Sequence, residues 1–228
     1  MKLDTAWNTV LSNLDIRDET ARSDMTSKAA RIQVPAGTVI IAQDEVDDRV
    51  FVLLDGRARV VLLSENGQEI WLDAFEAGAV FGELAALTGQ PRTSGIIAET
   101  DCELAVYEGD AFFQLIRQHG EIGLALARLL AGRVHHTTQR MFELSALSAP
   151  GRIYAELLRM SKPVGSDRSA RAIAPVPSMK ELALRVNSTR ETASRTVNDL
   201  QRKGLLERLG DRIELVDPDQ LDRLRGSG

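Results

Sequence analysis

One stretch of this chain reads as a helix that needs a partner. Ala127, Leu130, Val134, Thr137, Met141 and Leu144 recur at spacings of 3, 4, 3, 4 and 3, the seam of a coiled coil. Arg128, Arg133, Arg140 and Glu143 fall off that seam. A long helix over residues 119–147 would bury the seam against its own domain or, most simply, against a second copy across a two-fold axis. Upstream the pattern changes period. Between about residues 30 and 108, short apolar runs recur at Thr38–Ile41, Val50–Leu54, Ala58–Leu63, Glu69–Phe75, Gly95–Ala98 and Glu103–Tyr107, with glycines at 37, 56, 67, 78, 82 and 89 between them. Asn66-Gly67 between two runs is a two-residue hairpin signal. Many short strands at this spacing predict a jelly roll, a double-stranded β-helix, with Trp71 and Phe75 filling its core.

The length of 228 residues and 43% hydrophobic content allow one large or two smaller domains with a real core. The single cysteine, Cys102, excludes an intrachain disulfide framework and a cysteine-held iron–sulfur cluster within one subunit, and fits a reducing cytosol. No apolar run reaches the ~18 residues of a membrane span. The opening stretch, MKLDTAWNTVLSNLDIRDE, is too acidic and polar for a signal peptide. Net charge is −5, but residues 150–228 carry 15 Lys and Arg against 11 Asp and Glu. An acidic front and a basic back suggest two domains with different partners, the basic one suited to nucleic acid.

Ser145–Gly151 is small and ends in Pro150-Gly151, which predicts a helix break and a hinge. A helix over Arg152–Met160 follows, then a polar loop over Ser161–Arg171. Ser178-Met179-Lys180-Glu181 is a capping box opening a short helix through Val186. Asn187-Ser188-Thr189 forms a turn, and a second helix runs to Lys203 and stops at Gly204. Helix, short turn, helix is the helix-turn-helix arrangement. Leu182, Ala183, Val186, Ala193, Val197 and Leu200 pack the pair, leaving Arg190, Glu191, Ser194 and Arg195 outward at the end that enters a major groove. Arg190 and Arg195 suit guanine, and Glu191 suits cytosine. Glu191, three after Ser188, has a competing role as the partner in a second capping box. Leu205–Leu206 and Arg212–Val216 around Gly210-Asp211 read as a hairpin, hence a winged helix. Arg208 and Arg212 there either touch phosphates or sit on a solvated face.

The densest chemistry lies in Phe81–Ser94. Glu83 and Arg92 stand nine residues apart among small residues and glycines. A carboxylate that accepts from a ribose hydroxyl and a guanidinium that grips anionic oxygens suit a phosphate with a neighbouring sugar. Gly82 leaves room for backbone N–H groups of a short helix opening there. Thr137-Thr138 places hydroxyls on the helical seam. They call for hydrogen-bond partners, either a docked base or their own helix carbonyls. His135-His136 has no carboxylate or thiolate at ligand spacing, which argues against a metal or haem. No Ser/His/Asp or Cys/His constellation points to an enzyme.

The stretch 81–94 resembles the phosphate-binding cassette of cyclic-nucleotide-binding domains, which occur in catabolite-activator-type regulators, cyclic-nucleotide-dependent kinases and gated channels. Its GELA and PRT segments are similar to the kinase regulatory-subunit version. With the long helix, Gly151-Arg152-Ile153 and the Thr189–Thr192 run followed by Arg195, the resemblance covers nearly the whole chain and is to the Crp-Fnr (catabolite activator, cyclic-AMP receptor) family. It implies an α+β fold: a β-barrel (jelly-roll) cyclic-nucleotide-binding domain with N-terminal helices over 1–118, a dimerisation helix over 119–147 and a winged helix-turn-helix over 148–228. It further implies that Gly82, Glu83, Leu84, Ala85, Arg92 and Thr93 hold the sugar phosphate. Thr137 and Thr138 would bind the base, one from each subunit. Arg190, Glu191 and Arg195 would read a TGTGA-type half-site, with Thr189 on a phosphate.

The implied protein is a cytoplasmic, non-enzymatic homodimer that binds double-stranded DNA under control of cyclic AMP, with no metal, haem, iron–sulfur cluster or membrane partner. The Ser161–Arg171 side is a candidate contact for RNA polymerase, although it departs in length and composition from the family's activating loop. Thr93 after Arg92 keeps cyclic GMP open, because a Thr near this place favours guanine in the kinase relatives. Another ligand, or none, also remains open, as does a regulatory subunit of an enzyme or channel, against which the helix-turn-helix argues.

Overall fold

The computed structural model describes residues 5–64, 69–164 and 167–226, without the side chains of 167–169, and divides into two compact units, Met1–Val134 and His135–Gly228. The first opens with α1 (Thr5–Asn13) and α2 (Glu19–Ser27). The strands β1 (Ala30–Val34), β2 (Val39–Ile41), β3 (Val50–Asp55), β4 (Arg57–Leu63), β5 (Glu69–Glu76) and β6 (Val80–Phe81) follow. After α3 (Glu83–Thr88) come β7 (Gly95–Ala98), β8 (Cys102–Tyr107), α4 (Gly109–Gln118) and α5 (Gly120–Ala146), which continues into the second unit. Two antiparallel sheets of order β1-β8-β3-β6 and β2-β7-β4-β5 make the expected roll. The strands β4 and β5 pair from Leu63↔Glu69 upward. The Asn66-Gly67 turn expected between them lies outside the described residues.

The fully apolar run of β3 is explained by two cores. Val50, Val52 and Leu54 face a cluster with Trp7, Leu11, Met25, Tyr107 and Phe112 from the helices and β8. Phe51 and Leu53 face the interior of the roll with Phe81, Ile96, Ala98, Leu104 and Val106. Alternate side chains of one strand therefore fill opposite layers. The first turns of α5 join the helical core through Ile122, Ala125 and Leu126. The predicted seam lies elsewhere on α5: Val134, Met141 and Leu144 are exposed, as are Thr137 and Thr138. The two Thr hydroxyls, expected within a buried seam, therefore stand on the surface of this chain. No described helix is long and apolar enough to cross a membrane.

The second unit continues with α6 (Ala149–Met160), β9 (Lys162–Val164), β10 (Asp167–Ile173), α7 (Met179–Arg185), α8 (Arg190–Arg202), β11 (Leu206–Leu209), β12 (Arg212–Leu215) and α9 (Pro218–Arg225). Three expectations change here. The helix breaks inside Ser145–Gly151 as expected, between Ala146 and Ala149, but Pro150-Gly151 lies just past the break: Ser148 caps α6, accepting from Gly151 N at 3.3 Å. Pro150 sits in the first turn, where its missing N–H costs nothing. Gly151 serves a close approach instead, since a Cβ there would lie 2.6 Å from Arg225 O of α9. Ser161–Arg171 is largely β9 and β10, which pair antiparallel and join β12 and β11 in one sheet. At α8, Thr189 rather than Ser188 is the cap, accepting from Thr192 N, so the Ser188–Glu191 box does not form. The turn into β11 is as expected: Gly204 has φ +68, with Gly204 N donating to Gln201 O and Leu205 N to Leu200 O.

Candidate functional site

In the first unit β6 runs straight into Gly82, whose φ is +83. An added Cβ would lie 2.6 Å from Arg49 O and 2.8 Å from Arg92 Nη1, so both backbone handedness and space require glycine. Gly82 begins α3, and Gly89, at φ +67, ends it with its N–H on Ala85 O. The chain then returns to Arg92, whose N–H donates to Glu45 O while its carbonyl accepts from Asp44 N, both at 2.9 Å. These bonds set Arg92 beside β3.

Arg92 is 2% exposed and Glu83 1% exposed. Arg92 Nη1 donates to Gly82 O and Nη2 to Arg49 O, each at 2.7 Å, and Nη2 lies 3.0 Å from Asp47 Oδ2. Its guanidinium is 5.9 Å from the centre of the Phe51 ring. Burial works against the charge of Asp47, but hydrogen bonds from Arg49 and then Arg92 outweigh it and hold that carboxyl well below its usual range. The Nε–H of Arg92 is buried and meets no acceptor. An orphaned N–H on a buried guanidinium is costly, and it invites an anionic oxygen.

Glu83 and Arg92 do not touch each other. Glu83 Oε1 instead accepts from Arg133 Nη1 of α5 at 2.5 Å, while Arg133 Nη2 donates to Val80 O. The Arg133 guanidinium stacks 4.8 Å above the Phe75 ring. Gly82, Glu83, Leu84, Ala85, Arg92, Thr93, Phe75 and Arg133 all line one cavity of about 60 Å³. The structure thus brings together every cassette residue named from the sequence. It adds Phe75, assigned above to the core alone: Phe75 stacks on Phe81 at 5.5 Å and also meets the cavity. Arg133 was placed off the seam with no role. The one signal for it is its position four residues before Thr137, on the same side of the helix. Thr137 and Thr138 belong to the second unit.

In the second unit Thr189, Arg190, Glu191 and Arg195 are all exposed at the N-terminal end of α8, over the buried Ala193, Thr196 and Val197. The Thr189 hydroxyl is engaged as the cap and lies 3.0 Å from the Thr192 hydroxyl. Hydrogen bonds from its own N–H and from Thr189, then the nearby Arg190 and Arg195, lower the Glu191 carboxyl below its ordinary value. Two guanidiniums and an ionised carboxylate thus stand side by side on a rigid helix end, the donors and acceptor that base edges require. Among the described residues no group of three His, Cys, Asp or Glu is placed to hold a metal ion.

Comparison with known proteins gives the same two parts. Residues 31–119 match the cyclic nucleotide-binding domain family, and residues 151–224 match the Crp-like helix-turn-helix domain family. The chain is 25% identical over 207 residues to a CRP-like cAMP-activated global transcriptional regulator of Mycobacterium tuberculosis, covering 90% of this chain and 92% of the relative. It is 27% identical over 180 residues to the cAMP-activated global transcriptional regulator CRP of Salmonella typhimurium, covering 78% and 86%. The fold is similar to that of a CooA mutant from Carboxydothermus hydrogenoformans, with a TM-score of 0.78, 20% identity and coverage of 99% and 98%.

Proposed function

Since the chain belongs to the Crp-Fnr family of cyclic-nucleotide-binding transcription regulators, we propose that its effector is cyclic AMP and that it works as a cytoplasmic homodimer on palindromic DNA with TGTGA-like half-sites. The observation that carries the effector reading is the buried Arg92 with its unpartnered Nε–H, beside a glycine whose place no Cβ can take. Arg92 would hold the cyclic phosphate, and Glu83 would accept from the ribose hydroxyl. The cavity of about 60 Å³ has room for the phosphate alone, since small-molecule pockets run to roughly 300–1,000 Å³, so the site must open to take the whole nucleotide. Effector entry on this reading displaces Arg133 from Glu83, so the input reaches α5 directly. Thr137 and Thr138 would meet the base, the exposed Val134, Met141 and Leu144 would pack on the second copy, and the two α8 helices would enter grooves about 34–36 Å apart. The effector shifts the DNA-binding state only by its differential affinity for the two states.

Thr93, which lines the same cavity, supports cyclic GMP as the second reading. Calorimetry with each nucleotide decides between them. Cyclic AMP is expected to bind at least tenfold more tightly than cyclic GMP, about 1.4 kcal/mol. Glu83→Gln is expected to weaken binding by a similar factor through loss of a charge-assisted hydrogen bond. If neither nucleotide binds, and Arg92→Leu leaves DNA binding unchanged, the effector reading is wrong.

A further inference from the structure

Within the second unit three helices converge on one buried carboxylate. Glu156 of α6 is 3% exposed. Its Oε2 accepts from Arg140 Nη1 of α5 at 2.9 Å and from Arg159 of its own helix. Its Oε1 lies 3.5 Å from Arg185 Nη1 of α7. Glu143 of α5, also buried, is held through both oxygens by Arg159 Nη2 at 2.6 and 2.8 Å. Arg185 donates in turn to Glu181 at 2.9 and 3.2 Å. Each carboxylate in this group has a guanidinium against it, the condition under which buried charge is tolerated.

The same side chains also hold backbone. Arg140 Nη2 donates to Arg185 O, while Arg152 donates from Nε to Val186 O at 2.9 Å and from Nη2 to Asn187 O at 3.1 Å. Arg152 Nη1 reaches Leu147 O, just past the end of α5, at 3.0 Å. Carbonyls at a helix C-terminus lack intrahelical donors and carry partial negative charge, so guanidiniums from α5 and α6 complete the end of α7. That end is the turn leading into α8, where Asn187 has φ +48. The apolar packing of α7 on α8 uses Leu182, Val186, Ala193, Val197 and Leu200 and needs none of this. Apolar contacts permit sliding, whereas forked N–H···O bonds fix one orientation.

We propose that Glu156 and the guanidiniums gathered on it are a coupling joint: they fix the last turns of α5 to the α7–α8 turn, so that α8 follows α5 when the effector acts. The joint takes its input from the cyclic-nucleotide reading above but not its geometry. Glu156 and Arg140 are positioning residues on this account and touch neither effector nor DNA.

The test uses the full chain with Glu156→Gln, Arg140→Gln and Arg140→Lys. Hydrogen exchange is followed across the second unit, over residues 149–225, calorimetry measures cyclic AMP, and anisotropy measures a duplex with two TGTGA-type half-sites. Amides of the α7–α8 turn should exchange about tenfold faster in both Gln variants, the equivalent of one lost charge-assisted hydrogen bond. Cyclic AMP affinity should stay within about twofold, while the ratio of DNA affinities with and without cyclic AMP falls at least about fivefold, a typical coupling magnitude. Arg140→Lys, which keeps the charge but loses the fork, should fall between. The joint is overturned if turn exchange and affinity ratio match the parent. It is equally overturned if all three variants speed exchange uniformly through α6, α8 and α9, the mark of ordinary structural support. If the parent fails to bind cyclic AMP, the effector reading falls, and exchange at the turn alone decides the joint.

Discussion

Arginine is used in opposite ways at two places, the cassette of the first unit and the exposed end of α8 in the second. In the first, Arg92 is buried and spends its forked donors on Gly82 O, Arg49 O and Asp47 before any ligand is considered. In the second, Arg190 and Arg195 stand exposed at the start of α8. A site for a small anion needs its charge held rigid and shielded from water, where an interaction is strong. A surface for DNA needs charge that reaches a partner wider than the domain, where contacts are many and salt-screened. The same contrast appears in the carboxylates. Glu83 is buried against Arg133, whereas Glu191 is exposed and kept ionised chiefly by its own backbone N–H and the Thr189 hydroxyl.

The contrast breaks first at Arg92. Replacing it by Leu removes a donor from Gly82 O and Arg49 O and one of the two guanidiniums from Asp47 at once, so Arg92→Leu should destabilise the first unit by about 2–5 kcal/mol, the range for breaking a buried charged pair. Arg195→Leu, on an exposed helix face, should change stability by no more than about 0.5 kcal/mol. Urea unfolding of the two variants side by side measures this. Equal losses would mean that Arg92 is not a built part of the site. Gly82→Ala comes next. Its φ of +83 and the 2.6 Å approach of Arg49 O together set a cost of roughly 1–3 kcal/mol for a strained residue. Thermal unfolding and effector calorimetry on the same variant should both fall. A stable Gly82→Ala that binds normally would show that the turn into α3 is soft.

Most of the roll was legible because each run of apolar residues is local. The predicted segments Val50–Leu54, Gly95–Ala98 and Glu103–Tyr107 fall on β3, β7 and β8. Two short strands were not seen. Ala30–Val34 is a mostly exposed strand at a sheet edge, with Arg31 and Gln33 interrupting its apolar residues, and Val80–Phe81 is too brief to show a period. The cassette was legible as a set of residue types at a spacing. Its electrostatics were not, because Asp47, Arg49 and Arg133 reach it from 50 residues or so away along the chain, and long-range pairing leaves no local pattern. Pro150-Gly151 misled for a different reason: both residues serve as breakers in one context and as a first helical turn or a close contact in another, and only the approach of Arg225 O to Gly151 decides between them.

The exposed carboxylate should behave in the opposite manner to the buried charge. Glu191→Ala should leave unfolding unchanged within about 0.5 kcal/mol and relax preference at one base pair of the half-site by about 1–3 kcal/mol. Selection from a randomised half-site measures it. An unchanged base preference would remove Glu191 from the readers and leave the lowered acidity as a by-product of the Thr189 cap.

The smallest expected effect lies in the pH dependence of the first unit. The Asp47 carboxyl is held below its ordinary value of 3.8 in the folded state, so its contribution is fully present above about pH 4 and is lost as pH falls through the depressed folded-state value. Stability should therefore decline on acidification below about pH 4 in the parent, and less steeply in Asp47→Asn, which has no proton to take up and already lacks the ion pair with Arg92 at neutral pH. Urea midpoints at pH 7 and pH 3 measure the difference. Parallel curves for parent and variant would show that neither Arg49 nor Arg92 draws measurable stability from the Asp47 charge, and the ion pair beside the buried guanidinium would then count for no more than an exposed one.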